Sequence, residues 1–162
     1  MIREFKGKKP KIDENAIVDK DALVMGNVIV KKGASIWPHA MLRADEHEII
    51  VEENAVILDK AFIEAPKKVV IGKGSIISHG AIIHGAEIGE NVLIGIGAIV
   101  LEVKIGKNSI IGAGAVVTKN VDDNSFVAGV PAEKIRDVGK EDLKLIKKVV
   151  AEVEEKRKFL KE

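Results

Sequence analysis

The chain predicts a stack of short parallel β-strands wound into a solenoid of about six coils, closed by one C-terminal α-helix. Three observations carry this. Aliphatic residues lead units of six residues through most of the sequence. The units group in threes, and successive groups open 17 residues apart at Ile71, Ile88 and Ile105. The final stretch abandons that period for a helical one. A fixed repeat of this length marks an architecture in which no unit buries its apolar face alone and stacking completes the core.

The elements follow in order. From Ile12 the chain reads IDENAI, VDKDAL, VMGNVI; from Val30, VKKGAS, IWPHAM, LRADEHEII; from Val51, VEENAV, ILDKAF, IEAPKKVV. From Ile71 it reads IGKGSI, ISHGAI, IHGAE, and the next two coils open at Ile88 and Ile105. Together they cover about residues 12–122. In each unit the leading aliphatic residue points inward. A small residue four places later does the same: Ala16, Ala22, Ala34, Ala55, Ala61, Ala81, Ala98 and Ala115. Gly and Asn at the remaining positions suit corners that need positive φ. Strands this short cannot form an independent sheet, but coils stacked ~4.8 Å apart satisfy one another's backbones. A sandwich of hairpins is disfavoured, because the chain has no Asn-Gly turn. VDDNSFVAGVPAEKIRDVG reads as a loop. From Lys140, Leu143, Ile146, Val149, Val150, Val153 and Leu160 recur at helical spacing among Lys and Glu. The expected organisation is a β-helix domain over 1–136, edge segments included, and a helix over 137–162. That helix packs on the tube or on a neighbouring subunit.

Composition excludes several classes. The 162 residues suit one domain, and 26 Lys and Arg against 25 Asp and Glu leave a net charge of +1. That balance gives no electrostatic case for nucleic acid or an anionic membrane. With no cysteine there is no disulfide, thiolate metal site or cysteine nucleophile. Four Phe, one Trp and no Tyr make the core aliphatic. The charged start MIREFKGKKPKIDE is unlike a leader, and no apolar run reaches the ~20 residues that span a bilayer, so a cytoplasmic protein is expected. The absence of Gln beside abundant Lys and Glu points to a thermophilic source.

SIWPHAMLRAD (35–45) resembles the SIWPxAVLRGD signature of the γ-class carbonic anhydrase-like hexapeptide family. ISHGAIIHGAEIGENVLIGIGAIV (77–100) and FVAGVPAEKIR (126–136) resemble further segments of it, and the likeness covers about residues 8–136. It implies a left-handed β-helix, although parallel crossovers are right-handed in about 98% of cases. It also implies a homotrimer and a divalent metal, usually zinc, with iron or cobalt as options. In the family three histidines hold the metal, two from one subunit and one from its neighbour. The HxxxxH pair falls on His79 and His84. Where a segment like NIQDxxxIH supplies the other histidine, this chain has VILDKAFIE, so Glu64 takes the ligand position, Leu58 replaces the glutamine and Asp59 is kept. The arginine and aspartate of the signature fall on Arg43 and Asp45, with Ala44 between them, and Glu46 matches an acid proposed to shuttle protons. The activity so implied is attack of metal-bound hydroxide on CO2 to give bicarbonate, with Arg43, Asp45, Glu46 and Asp59 on the catalytic side.

The repeat register bears on this site independently. Glu64 and His84 hold the second position of the third strand in adjacent coils, ~4.8 Å apart and pointing outward, with Arg43 one coil earlier in the same column. Asp59 and His79 stack at a corner of the second strand, on a different face. One chain would struggle to bring His79 to the others, so metal binding and trimer formation are linked expectations. Two His and one Glu form an established zinc set and also suit Fe(II). An anionic ligand lowers the metal's effective charge, so a bound water ionises less readily than on three imidazoles. The alternative at Glu64 is a pair with Arg43 or His84 and no metal. His39 and His47 read as surface residues, His47 in a loop-like bend, and Trp37 as a corner or subunit contact. IGKGS and IGAGA are coil turns rather than phosphate loops.

Two other functions compete. A hexapeptide acyltransferase would share the coil, the trimer and an AGxPA-like segment (Ala128, Gly129, Pro131, Ala132), and would use a histidine as general base. The insertion at 65–69 is short for the substrate loop of many transferases. A non-catalytic binding or assembly protein is the third reading.

Overall fold

The computed structural model describes all 162 residues. They form a left-handed parallel β-solenoid of about seven turns and one C-terminal helix, α1 (Lys140–Arg157). The extra turn beyond the six read from the repeat comes from both ends. Ile2–Arg3 pairs in parallel with Val24–Met25, and Ser125–Ala128 pairs in parallel with Ile110–Ile111. Neither segment carries the six-residue signature, because each lies at an end of the tube and has a coil of the repeat on one side only. The stretch expected as a loop therefore contains two strands: Glu133–Asp137 turns back antiparallel on Ser125–Ala128 and closes the end of the tube.

The tube has three faces. Strands Ser35–Ile36, Val56–Ile57, Ile76–Ile77, Leu93–Ile94 and Ile110–Ile111 stack along one. A second carries Phe62–Glu64, Ile82–His84, Ile99–Leu101 and Val116–Val117. A third carries Val69–Ile71, Glu87–Ile88 and Lys104–Ile105. Leu23–Val30 and Met41–Val51 are long enough to run round from the second face to the third, so those two faces form one sheet.

Inside, each face contributes a ladder of fully buried side chains: Ile36, Ile57, Ile77, Ile94, Ile111; Leu42, Ile63, Ile83, Val100; Val51, Ile71. All eight alanines read as inward-pointing are buried. Where the inner corner carries serine the backbone satisfies it: Ser75 Oγ donates to Gly89 O (2.7 Å) and accepts from Val92 N–H (2.9 Å). Each buried Ile or Val contributes ~1.5–3 kcal/mol by leaving water. Corner glycines are needed for space. A Cβ on Gly72 would sit 2.1 Å from Gly89 O, and one on Gly89 2.8 Å from Lys107 N.

α1 lies on the first face. Its Ile146 and Val153, two turns apart, are buried with Val56, Leu58, Ile76 and Ile110, and Trp37, Leu93 and Phe126 pack at the edge. The helix stripe is thus covered by its own chain. Trp37 belongs to this contact rather than to a bare corner, and its indole N–H donates to Ser35 Oγ (3.1 Å). Asp142 ties down the helix start: its carboxylate accepts from Gly139 N–H (2.8 Å) and from both terminal nitrogens of Arg136 (2.7 and 3.0 Å). At the other end Arg157 donates to the backbone oxygens of Gly33 and Asn15. Tube and helix meet at this apolar seam, which lies outside the tube's own core. No helix is long and apolar enough to cross a membrane.

Candidate functional site

The second face carries the chemistry. Parallel register aligns Met25, Arg43, Glu64, His84 and Leu101 in one outward column. The spacing argument holds residue by residue, because every coil presents the same strand position to the same side. Glu64 is the hinge of the column. Its Oε1 is in contact with Arg43 Nη2, and its Oε2 lies 3.5 Å from His84 Nε2. Arg43 Nε is 3.3 Å from Asp45 Oδ2, is buried, and lacks an aligned hydrogen bond. The guanidinium also stands 5.6 Å from the Phe62 ring centroid. Arg43 and Asp45 thus form an ion pair. Glu64 takes the contacts given as its metal-free alternative, with Arg43 and toward His84.

Beside this polar column runs an apolar one: Leu23, Met41, Phe62, Ile82, Ile99 and Val116. All six point outward and are at least partly exposed, and nothing in the chain covers them. The first face has a comparable outer ladder, but there α1 sits on it. The polar residues therefore form an island of three in an uncovered apolar face, bounded along the column by Met25 and Leu101.

Asp59 and His79 stack at the neighbouring corner as expected, with Asp59 Oδ1 3.2 Å from His79 Nδ1. His79 does not join Glu64 and His84: no three His, Asp or Glu side chains converge on a common point within the chain. The same corner runs on to Ile96, which is 59% exposed. His39 and Lys60 adopt positive φ (61° and 64°) where the next coils have Gly80 and Gly97.

Leu58, read as the loss of a polar group from the site, has a place in the fold. It is buried in the seam under α1. Glu46 is exposed on the run between Ala44 and Ile49, where the ladder jumps from Gly26–Ala44 to Val28–Ile49. The expected bend at His47 is thus a bulge within a strand. His47 is exposed, and its backbone N–H donates to Ala65 O (3.1 Å). Gly26 permits the bulge: at φ 83° its missing Cβ would lie 2.2 Å from Ala44 O.

A rim beside the column escaped the reading of motifs. Coils opening at Val30 and Val51 run 21 and 20 residues, against 17 for later ones, and the extra residues follow Arg43 and Glu64 directly. They form a rim in which Lys68 pairs with Glu48 (3.3 Å) and Lys67 with Glu102 (3.3 Å). Coil length was the signal: the two longest coils put their surplus at one corner.

Residues 85–119 match the family model described as bacterial transferase hexapeptide (six repeats). The carnitine operon protein CaiE of Escherichia coli is 37% identical over 87 residues, 52% of this chain and 44% of that protein. The chain thus spans less than half the length of the curated relatives it matches. A solved hexapeptide transferase family protein from Anaplasma phagocytophilum is 29% identical with TM-score 0.93, covering 97% of this chain and 96% of that one. A Bacillus cereus protein provisionally described as an acetyltransferase is also 29% identical, with TM-score 0.95 and coverage of 98% and 95%. A variant of the N-acyltransferase AntD from Bacillus cereus, solved with coenzyme A and a dTDP-amino sugar, shares the fold at 16% identity, TM-score 0.75 and coverage of 88% and 91%.

Proposed function

We propose that Arg43, Glu64 and His84 are the working centre of an acyl-transfer enzyme built on a β-helix with hexapeptide repeats. The observation that carries this is the approach of His84 Nε2 to Glu64 Oε2 at 3.5 Å, with Arg43 on the other carboxylate oxygen. The transferase names of two relatives that match nearly the whole chain support the reaction class.

The chemistry follows from the pair. Glu64, acting as acceptor, favours the imidazole tautomer with hydrogen on Nε2 and leaves the Nδ1 lone pair free. That lone pair takes the proton of an amine or hydroxyl as its nitrogen or oxygen attacks a thioester carbonyl. The carbon–sulfur bond then breaks, and the proton passes to the leaving thiolate. Glu64 orients the ring and balances the imidazolium that forms, and Arg43 holds Glu64 in place. The uncovered apolar column beside the site supports completion by a second copy, in a homotrimer as the family resemblance implies.

The test is thiol release from acetyl-CoA with a panel of small amines and alcohols. The wild type should release thiol, and His84→Ala should lose about 10²–10⁴-fold of the rate. The absence of both turnover and calorimetric binding of acetyl-CoA would overturn the reading.

A second reading rests on the resemblance of residues 35–45 and on the donor chemistry. Two imidazoles and a carboxylate suit a divalent cation, provided His79 comes from a second copy and Arg43 releases Glu64. Bound there, zinc, iron or cobalt would supply Lewis acidity for hydrating CO2 to bicarbonate. The chain's part would be to hold the donors through Arg43, Asp45 and Asp59 and to pass protons outward at exposed Glu46. Stopped-flow CO2 hydration on a zinc-treated preparation tests it, and Glu64→His should then raise the rate.

A further inference from the structure

The polar column contains a cation of its own. We infer that the Arg43 guanidinium fills the place of a metal, supplying from within the chain the positive charge against which Glu64 and His84 are set. The inference rests on reading these three residues as one unit.

The geometry leaves little choice. One oxygen of Glu64 meets Arg43 and the other faces His84 at 3.5 Å, so a cation on this carboxylate would compete with the guanidinium already there. Arg43 is held from several sides. Asp45 lies 3.3 Å from Nε, Glu64 meets Nη2, and the Phe62 ring lies 5.6 Å away. Register keeps the three side chains adjacent, because Arg43 pairs with Glu64, and Glu64 with His84, on consecutive rungs of one ladder. A divalent ion on Glu64 would stand beside a guanidinium that cannot lose its proton. Two like charges sharing one carboxylate in a partly buried place repel strongly. A histidine at position 64 would give Arg43 no carboxylate to grip and would leave that place open. Glutamate and arginine are therefore a matched pair, and their joint effect is to exclude a metal.

The experiment is equilibrium dialysis of the full chain against zinc chloride, followed by elemental analysis, on wild type, Arg43→Gln, Arg43→Lys and Arg43→Gln with Glu64→Gln. Wild type and Arg43→Lys, which keep the charge, should retain no stoichiometric zinc. Arg43→Gln frees the carboxylate and should bind zinc at least about tenfold more tightly than wild type. Adding Glu64→Gln should abolish the gain. One zinc per wild-type chain would overturn the inference, as would an Arg43→Gln protein that is folded by circular dichroism and gains no affinity. Zinc uptake is read without turnover, so this inference and the acyl-transfer reading fail separately.

Discussion

At the scale of single residues, the site is a matter of register. A column of three outward positions was legible in the sequence because one residue per coil recurs at a countable place, and Arg43, Glu64 and His84 lie where counting puts them. Contacts along the column were not legible. Counting cannot say which oxygen of Glu64 meets which neighbour, because that depends on side-chain rotamers. Leu58 shows the same limit: its position was countable, but its burial under α1 needed the helix in place. Corner glycines give a sharp residue-level prediction. Gly89→Ala would press a methyl against the Lys107 backbone at 2.8 Å, which cannot shift without opening the coil. A loss of ~1–3 kcal/mol is expected, seen as a midpoint several degrees lower in thermal melts. Gly80→Ala meets no atom, so the cost there should come from its positive φ alone and be near ~1 kcal/mol.

The elements differ in how openly the sequence declared them. Inner strands repeat and were legible; the end strands Ile2–Arg3, Ser125–Ala128 and Glu133–Asp137 do not repeat and were missed or read as loop. Capping a tube is a task performed once at each end, so no period announces it. The helix was legible from its spacing, but its seat was not, since either the tube or a neighbour could cover an apolar stripe. Ile146→Ala should cost ~2–4 kcal/mol by denaturation, because Ile146 is 2% exposed and cannot be replaced from solvent. The start of α1 should respond to acid. The Arg136 guanidinium and the Gly139 N–H hold the Asp142 carboxyl down to about 2, against an ordinary 3.8. A carboxyl lowered on folding stabilises fully above its unfolded value, and that stability fades as pH falls toward the folded one. Helix content should therefore drop between about pH 4 and pH 2 in circular dichroism. Asp142→Asn should remove that part of the pH dependence.

At the scale of the whole molecule, one face is finished and another is not. α1 covers the first face, while the second leaves an apolar ladder of six side chains beside its polar island. The proposed homotrimer would cover this ladder. Sedimentation equilibrium should find a trimer, and Ile82→Lys with Ile99→Lys should dissociate it without melting the coils. Assembly is where the two functional readings part, since one needs His79 from a neighbour and the other needs only a closed, dry site. The acyl-transfer reading depends on Glu64 governing His84. Long-range proton–nitrogen correlation spectra of the protein labelled in its four histidines measure that directly. The account predicts hydrogen on Nε2 and a bare Nδ1 at His84, with that preference lost in Glu64→Gln. A His84 ring protonated on Nδ1, or one indifferent to Glu64→Gln, would contradict it.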